Sequence, residues 1–505
     1  MKFPILILFL LIATKPLVVL AQIEIDPGRP TGATVQYFGW DLKGWKDNTS
    51  TPDRAATLYK DTPANIVRIP IEAFAHREDG SIDPGPYGPM LKSLGNIRSL
   101  NPDVKIFASL KLAKEKTFPA WVESDEVASI FGAKVKRPVP EKYARLVADY
   151  VEWLRKNRIA IDFLGLNNEI SGALTPQHYL ATARALDMEL ANRKVPKEFR
   201  SFQYIGAECF GVATSVRYAQ SIRAGRGLEY ADIWGTHFYP DLKSGSIDDW
   251  RQLFEITRGR PLWHTELHVR SSPEPAEHIA AVRDGLAILF ATNQLGAEGY
   301  IWWARGFQDD PTNLIRRKAI GSLLGGSCIY TSGRYKAKDN EPDAYLAQGT
   351  RVGETVWVWF FNPRSKIAEM PILLKRGIAV EASCEYWAGG NTEATKTSGT
   401  LEVDSRNGKY FALKNVPATS IVLLKIDLKN TSRSPSKAED SLVAERVWRS
   451  SVPQSQPVKA SLESVEKGVG LFRQADGRTF KYRLNKLSAE DRKIAENAAS
   501  KKGLE

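Results

Sequence analysis

Lys142–Glu169 reads KYARLVADYVEWLRKNRIAIDFLGLNNE, and its two halves follow different periods. In the first half Tyr143, Leu146, Val147, Tyr150, Val151 and Leu154 recur at i, i+3, i+4, i+7, i+8 and i+11. That is the single apolar stripe of a helix laid against a core. In the second half Phe163 to Leu166 is continuously apolar and then gives way to Asn167, Asn168 and Glu169. A short unbroken apolar run predicts a strand covered on both faces, as in a parallel sheet. A helix feeding a buried strand is half of a parallel repeat, and the polar ending marks the point where the strand leaves the packed interior.

Working outward, the same kind of run recurs as QYFGWDL from Gln36, NIVRIPI from Asn65, VKIFASL from Val104, QYIGAE from Gln203, IWGTHFY from Ile233, PLWHTE from Pro261 and GYIWWA from Gly299. Together with FLGLNNE from Phe163 this makes eight, separated by helical patterns. Thr51-Pro52 and Thr175-Pro176 read as helix starts, with a capping hydroxyl followed by proline in the first turn. An open doubly wound sheet competes, but the first run is not followed by the glycine-rich phosphate loop of that fold. The pattern predicts an α/β chain with a (β/α)8 TIM barrel over residues 22–325.

The remaining segments set the domain plan. Beyond the barrel, ETVWVWFFNP, MPILLKR, EASCEYWAG and YFALKNVPATSIVLLKIDL alternate apolar and polar residues between turn signals, predicting an antiparallel β-sandwich at 326–428. Residues 429–443 are polar and proline-punctuated, as a linker is. Residues 444–505 form a short module with an Asp476-Gly477 hairpin turn and a capping box from Ser488 to Asp491 opening a last helix. At the other end, residues 1–21 combine Lys2, an apolar core from Phe3 to Ala13 and small residues at Val19-Leu20-Ala21, the pattern of a signal peptide. The apolar run is shorter than the roughly 20 residues a membrane span needs. Export to the periplasm or the extracellular space is therefore expected, with no membrane span.

The formal charge of +12 raises the question of nucleic acid, but 16 Lys/Arg against 10 Asp/Glu lie after Leu428 and the rest are spread along the chain, so no nucleic-acid partner is expected. Three cysteines are too few for a disulfide framework. They allow one bond, Cys328 with Cys384, leaving Cys209 over.

In a barrel of this kind the reacting groups stand at the C-terminal ends of the strands. Those ends carry Arg68, Asn168 and Glu169, Glu208, His237 and Tyr239, Glu266, and Trp302 and Trp303. Glu169 and Glu266 end the fourth and seventh strands, which lie roughly across the mouth from each other. Paired carboxyl groups over a sugar ring are what glycoside hydrolysis requires: one protonates the leaving oxygen and the other attacks the anomeric carbon. Arg68 and Tyr239 can hydrogen-bond the Glu266 carboxylate, Asn168 can grip a sugar hydroxyl, and His237 belongs to the same strand-end set. Trp302 or Trp303 can floor the subsite, while Trp40, Trp45 and Trp121 can line its rim. A metal centre is weighed on His264, Glu266 and His268, which alternate in WHTELH. On a regular strand they stretch over roughly 13 Å, too far for one ion, although two of them with His237 remain open. No metal or cofactor is expected.

On these residues the sequence resembles the clan A retaining glycoside hydrolases, and among them most resembles family 30. FASLKLAKEKTFPAWV followed by the Lys142–Glu169 stretch, then GTHFYP, LWHTE and YIWWA, follow that family's order. The resemblance covers roughly residues 30 to 428 and implies Glu169 as acid/base and Glu266 as nucleophile. Where the family has GFGG and Gln-Asn-Glu, this chain has YFGWDLKGW and Asn167-Asn168-Glu169, so the related families 39, 5 and 79 stay open. ADGRTFKYRLNKLSAEDRKI in the tail resembles the Sla homology domain, which implies a protein or cell-surface partner for that module. The substrate expected is a polysaccharide or oligosaccharide. A non-catalytic carbohydrate-binding or surface protein on the same scaffold is the alternative, and a metal-dependent hydrolase a third.

Overall fold

The computed structural model describes residues 22–501 apart from 43–50, 61, 63, 113–116, 240–243, 258, 268–278, 304–310, 333–345, 363–365, 390–396, 430–442, 449–457, 467 and 474–478. The expected signal peptide, Trp45, His268 and the Asp476-Gly477 turn lie outside these residues. Two compact units are present, Met1–Leu428 and Lys429–Glu505.

The first unit opens with β1 (Ile23–Pro30), β2 (Tyr37–Asp41), α1 (Pro52–Tyr59), β3 (Ile66–Ile71), α2 (Gly88–Leu100) and β4 (Lys105–Leu110). A hairpin of β5 (Glu123–Ile130) and β6 (Ala133–Pro138) follows, then α3 (Pro140–Lys156), β7 (Phe163–Gly165), α4 (Pro176–Asn192), α5 (Lys197–Arg200), β8 (Gln203–Phe210) and α6 (Val212–Ala224). Next come β9 (Ile233–Phe238), α7 (Ile247–Thr257), β10 (Leu262–Leu267), α8 (Ile279–Gln294), β11 (Ala297–Trp303) and α9 (Pro311–Gly321). Strands β2, β3, β4, β7, β8, β9, β10 and β11 close into a parallel barrel in sequence order. Each contributes one residue to an inner layer: Tyr37, Ile66, Phe107, Phe163, Ile205, Ile233, Trp263 and Ile301. This apolar floor fixes the inward register of every strand, and the side chains one step nearer the C-terminal end therefore face the mouth.

The helices cover the outside as their periods require. All six stripe residues of α3 are buried. Thr175 caps α4 by accepting a hydrogen bond from the His178 N–H at 3.4 Å, whereas Thr51 takes the capping position of α1 without a side-chain bond. His264 lies in this outer layer, stacked on Trp250 at 4.1 Å, and not in the barrel interior. Burial pushes its imidazole down to about 3, and burial pushes that of His76 down to about 4. Both rings are thus neutral when folded but take up a proton below about 6.5 when unfolded, so the unfolded chain binds more protons in acid. Stability is expected to be full above pH 6.5 and to fall steadily as the pH drops from 6.5 toward 4. Denaturant titrations at pH 7.5, 6 and 5 check this, and His264→Phe, which keeps the aromatic stack, should flatten the slope.

The sandwich comprises β12 (Ser327–Thr331), β13 (Leu346–Val352), β14 (Thr355–Asn362), β15 (Ile367–Leu374), β16 (Ala379–Ala388), β17 (Thr397–Thr400), β18 (Val403–Arg406), β19 (Tyr410–Val416) and β20 (Ser420–Leu428). It is one ten-stranded sheet in the order β17-β16-β20-β14-β13-β12-β1-β15-β19-β18. Val358 and Leu424 pack with Ile372 and Phe411 in its own core, while Trp359 and Leu423 on the opposite face join the core of the barrel and its helices. Strand alternation thus lets one sheet fill two cores. The segment expected to lead into the barrel, Ile23–Pro30, instead pairs antiparallel with β12 and parallel with β15. Cys209, Cys328 and Cys384 are buried free thiols, so the Cys328–Cys384 bond does not form.

In the second unit β21 (Val443–Trp448), β22 (Val458–Glu466), β23 (Val469–Arg473) and β24 (Thr479–Arg483) make an antiparallel four-stranded sheet, followed by α10 (Ala489–Lys501). Trp448, Leu462 and Phe472 are buried with Ala495 of α10. The expected capping box is present: the Asp491 N–H donates to Ser488 Oγ at 3.2 Å. Among the described residues, no helix is long and apolar enough to cross a membrane.

Candidate active site

The polar residues begin immediately above the apolar floor, and Arg68 of β3 is their centre. Its guanidinium is fully buried. Nη1 donates to Glu266 Oε2 at 2.7 Å, Asp41 Oδ2 at 3.0 Å and the Thr265 carbonyl at 2.9 Å. Nη2 donates to Glu208 Oε1 at 2.6 Å, Asn168 Oδ1 at 2.9 Å and Ser109 Oγ at 3.0 Å. Burial works against the Arg68 charge, but Glu208, Asp41 and Glu266 more than offset it and raise its pKa. One planar fork from β3 thus aligns residues from five other barrel strands or the loops that follow them.

Glu266 stands across the mouth from Glu169. Its second oxygen, Oε1, accepts a short hydrogen bond from the Tyr239 hydroxyl. Burial, and after it the Glu266 charge, push that phenol well above its ordinary range, so it stays a donor. Glu169 Oε1 is hydrogen-bonded to His237 Nδ1 at 2.6 Å. His237 Nδ1 is 3.8 Å from Glu266 Oε2. One carboxyl oxygen of Glu169, one of Glu266 and a His237 nitrogen all lie within 4.8 Å of one another.

Two β-bulges create this geometry. Trp263 points into the floor, so strict alternation would send Glu266 outward with His264. The register with β9 slips between His264 and Glu266, which turns the Glu266 carboxylate inward and leaves His264 outside. The WHTELH alternation therefore does not put His264 and Glu266 on one face, and a metal set built on that alternation does not form. In β8 the register slips between Ala207 and Cys209, with Ala207 and Glu208 at φ 72° and 46°. That slip carries Glu208 inward. Gly165 makes room for it: a Cβ on that glycine would lie 1.6 Å from Glu208 Oε2.

The polar end of the Lys142–Glu169 stretch now has a role for each residue. Asn167 Nδ2 donates a short bond to the Ala207 carbonyl and so pins the β8 bulge. Asn168 is held by Arg68. Glu169, at φ 62°, donates its N–H to the Glu208 carbonyl at 3.0 Å and turns its carboxyl to His237. Glu208, Asp41 and Ser109, to which the sequence pattern assigns no role, are thus part of the site. Asp41 sits beside the more conspicuous Trp40, and Glu208 depends on a bulge that no residue type announces.

The tryptophans divide by strand parity. Ile301 belongs to the floor, so Trp303 faces the mouth, its ring 6.2 Å from that of Tyr239. Trp302 is buried in the outer core with Tyr300. Trp40 also faces outward, where its indole N–H donates to the Leu58 carbonyl at 3.4 Å. Trp121 donates to the His76 carbonyl at 3.0 Å under Arg145. Trp40 and Trp302, expected to contact substrate, instead pack between barrel and helices because their neighbours Asp41 and Trp303 take the inward positions. Trp121 is tied to the His76 loop.

Glu169, His237 and Glu266 are also the one group among the described residues whose donor atoms converge closely enough for a metal ion. The donor set fits an ion poorly: both Glu266 oxygens already accept from Arg68 and Tyr239, and the guanidinium would stand beside the cation. The arrangement suits organic acid–base and nucleophilic chemistry, with one carboxylate held by a cation and a phenol and a second carboxyl hydrogen-bonded to an imidazole.

No family model matches the chain, and no curated protein matches it by sequence. Solved structures do match in fold. A GH30 endoxylanase from Clostridium papyrosolvens C71 superposes with a TM-score of 0.56 at 15% identity, over 81% of this chain and 100% of that one. The catalytic domain of GH30 xylanase C from Talaromyces cellulolyticus gives 0.56 at 15% identity, over 80% and 99%. An endo-β1,6-glucanase gives 0.53 at 12% identity, over 81% and 94%.

Proposed function

We propose that this chain is a secreted retaining β-glycosidase that hydrolyses O-glycosidic bonds of a polysaccharide or glycoconjugate by double displacement, without a cofactor. The observation that carries the reading is the pair of opposed carboxyl groups, with one oxygen of each within 4.8 Å of the other. That spacing is near the about 5–5.5 Å of retaining enzymes and short of the roughly 6.5–9.5 Å an inverting enzyme keeps for a water.

Glu266 attacks the anomeric carbon while Glu169 gives its proton to the departing oxygen, leaving a glycosyl ester on Glu266. Glu169 then takes a proton from water, which attacks the same carbon and releases Glu266. Arg68 holds one Glu266 oxygen and Tyr239 the other, so the attacking carboxylate is fixed before substrate arrives. His237 orients Glu169 through a hydrogen bond to one of its carboxyl oxygens. Asn168, fixed through its Oδ1, presents its amide beside the reacting carbon, and Trp303 offers a ring to the sugar's C–H face.

The fold neighbours include xylanases and an endo-β1,6-glucanase, so xylan and β-1,6-glucan head the substrates to test. The module resembling the Sla homology domain is proposed as a protein- or surface-binding appendage. Aryl β-glycosides and these polysaccharides should be hydrolysed, with proton NMR showing the β-anomer as first product and EDTA leaving the rate unchanged. An α-anomer as first product would reject double displacement, loss of rate on chelation would favour a metal centre, and binding without release of sugar would favour the non-catalytic alternative.

A further inference from the structure

The hairpin of β5 and β6 turns through Phe131 and Gly132, at φ 51° and 83°. Ile130 pairs with Ala133, so these two residues are the whole turn. Two-residue hairpin turns with both φ values positive normally take Asn-Gly or Asp-Gly, because a bulky side chain is strained in the left-handed region. Here a phenylalanine occupies that position and leaves 59% of its surface exposed. Neither choice favours stability. Strain kept at such a position points to a use for the side chain.

The ring does not stand alone. It meets Phe210 edge-on at 4.9 Å. Phe210 ends β8 and stacks on Tyr239 at 5.8 Å and 25°, and Tyr239 bonds Glu266 and approaches Trp303. An aromatic run thus leads from solvent to the carboxyl pair. The hairpin is fixed to the loop that carries Glu169: Arg137 Nη1 donates to the carbonyls of Gly172 at 2.9 Å and Ala173 at 3.1 Å. Gly172 admits this contact, since a Cβ there would lie 2.3 Å from the Ser129 carbonyl oxygen. Phe131 is therefore held on the Glu169 flank, the side from which the protonated leaving group departs.

We infer that Phe131, braced edge-on by Phe210, forms a second sugar-binding platform, which stacks on the ring immediately beyond the scissile bond of an oligosaccharide. The inference rests on the proposed glycosidase reading and adds that the chain acts on extended glycans. Flat rings bind the apolar C–H faces of a pyranose, and one held at the mouth of a polar site supplies affinity without touching the reacting atoms.

The test uses the full-length protein with xylo-oligosaccharides or β-1,6-gluco-oligosaccharides, whichever the wild type cleaves, and an aryl β-monoglycoside as the short substrate. Phe131→Ala is expected to raise KM for the oligosaccharide about tenfold at unchanged kcat, with kcat/KM on the aryl glycoside within about twofold of wild type. Phe131→Trp should keep the oligosaccharide KM. Phe131→Asn, which suits the turn, should raise the melting temperature while losing affinity as the alanine variant does, a split that a structural role would not give. An unchanged oligosaccharide KM, or an equal loss on both substrates, would overturn the platform. Should the wild type cleave no glycoside, the proposed reaction fails and calorimetric titration with the same oligosaccharides decides the platform. Weaker binding by Phe131→Ala supports it, and equal binding or none by either protein overturns it.

Discussion

Glu266→Gln is expected to lower hydrolysis by on the order of 10⁴-fold or more, the scale seen when a covalent nucleophile is lost. The amide is nearly isosteric, and Arg68 keeps Asp41 and Glu208 as partners, so the variant should fold and still bind oligosaccharide. Glu266→Ala with azide separates the nucleophile from the acid. Azide can enter the vacated space, attack the anomeric carbon and expel the alcohol that Glu169 protonates, giving an α-glycosyl azide from a β-glycoside. A β-azide would place the nucleophile elsewhere. Full hydrolysis by Glu266→Gln would remove Glu266 from the mechanism.

Arg68→Met should produce the largest loss of stability of any single substitution in the barrel. Among the described residues the guanidinium is the one cation bonded to three buried carboxylates, and its removal leaves the fully buried Asp41 and Glu208 without that counter-charge. Breaking a buried pair in this way costs about 3–5 kcal/mol, because the remaining charges lose their compensation. Denaturant unfolding near pH 7 measures it. Arg68→Lys should recover most of the stability but not the rate, since an ammonium cannot hold Glu266, Glu208 and Asn168 in the plane of one fork. A methionine variant as stable as wild type would show that the cluster is neutral in the folded protein.

How far the sequence predicts this site depends on whether alternation holds. The α3 stripe and the doubly buried strands follow directly from period, because a regular helix and a regular strand leave no choice about which residues face inward. They fix the barrel, its strand order and the end at which Glu169 emerges. Alternation fails at the bulges of β8 and β10, and with it fails any inference from spacing alone: His264 and Glu266 share a face only on a regular strand. Trp40 and Trp302 mislead for a related reason. A large ring beside the site is conspicuous in sequence, yet parity gives the inward place to Asp41 and Trp303. Arg68 and Glu208 could be noted as strand-end charges, but that one cation gathers three carboxylates emerges only when the strands are closed around it.

Strand β1 has a consequence for how the molecule is made. It lies between β12 and β15, with Ile25 opposite both Thr331 and Leu374. On the ribosome, Ile23–Pro30 finds no neighbour until β12 has been translated through Thr331, and its second edge stays open until β15 is complete at Leu374, a delay of tens of seconds at about 5–20 residues per second. During that interval the barrel can assemble while Ile23 and Ile25 wait unburied, first with both strand edges open and then with one. Holding chaperones should therefore engage the nascent protein at Ile23–Pro30, and ribosome-bound chains stalled before β12 is made and after β15 has cleared the exit tunnel should differ sharply in protease resistance there.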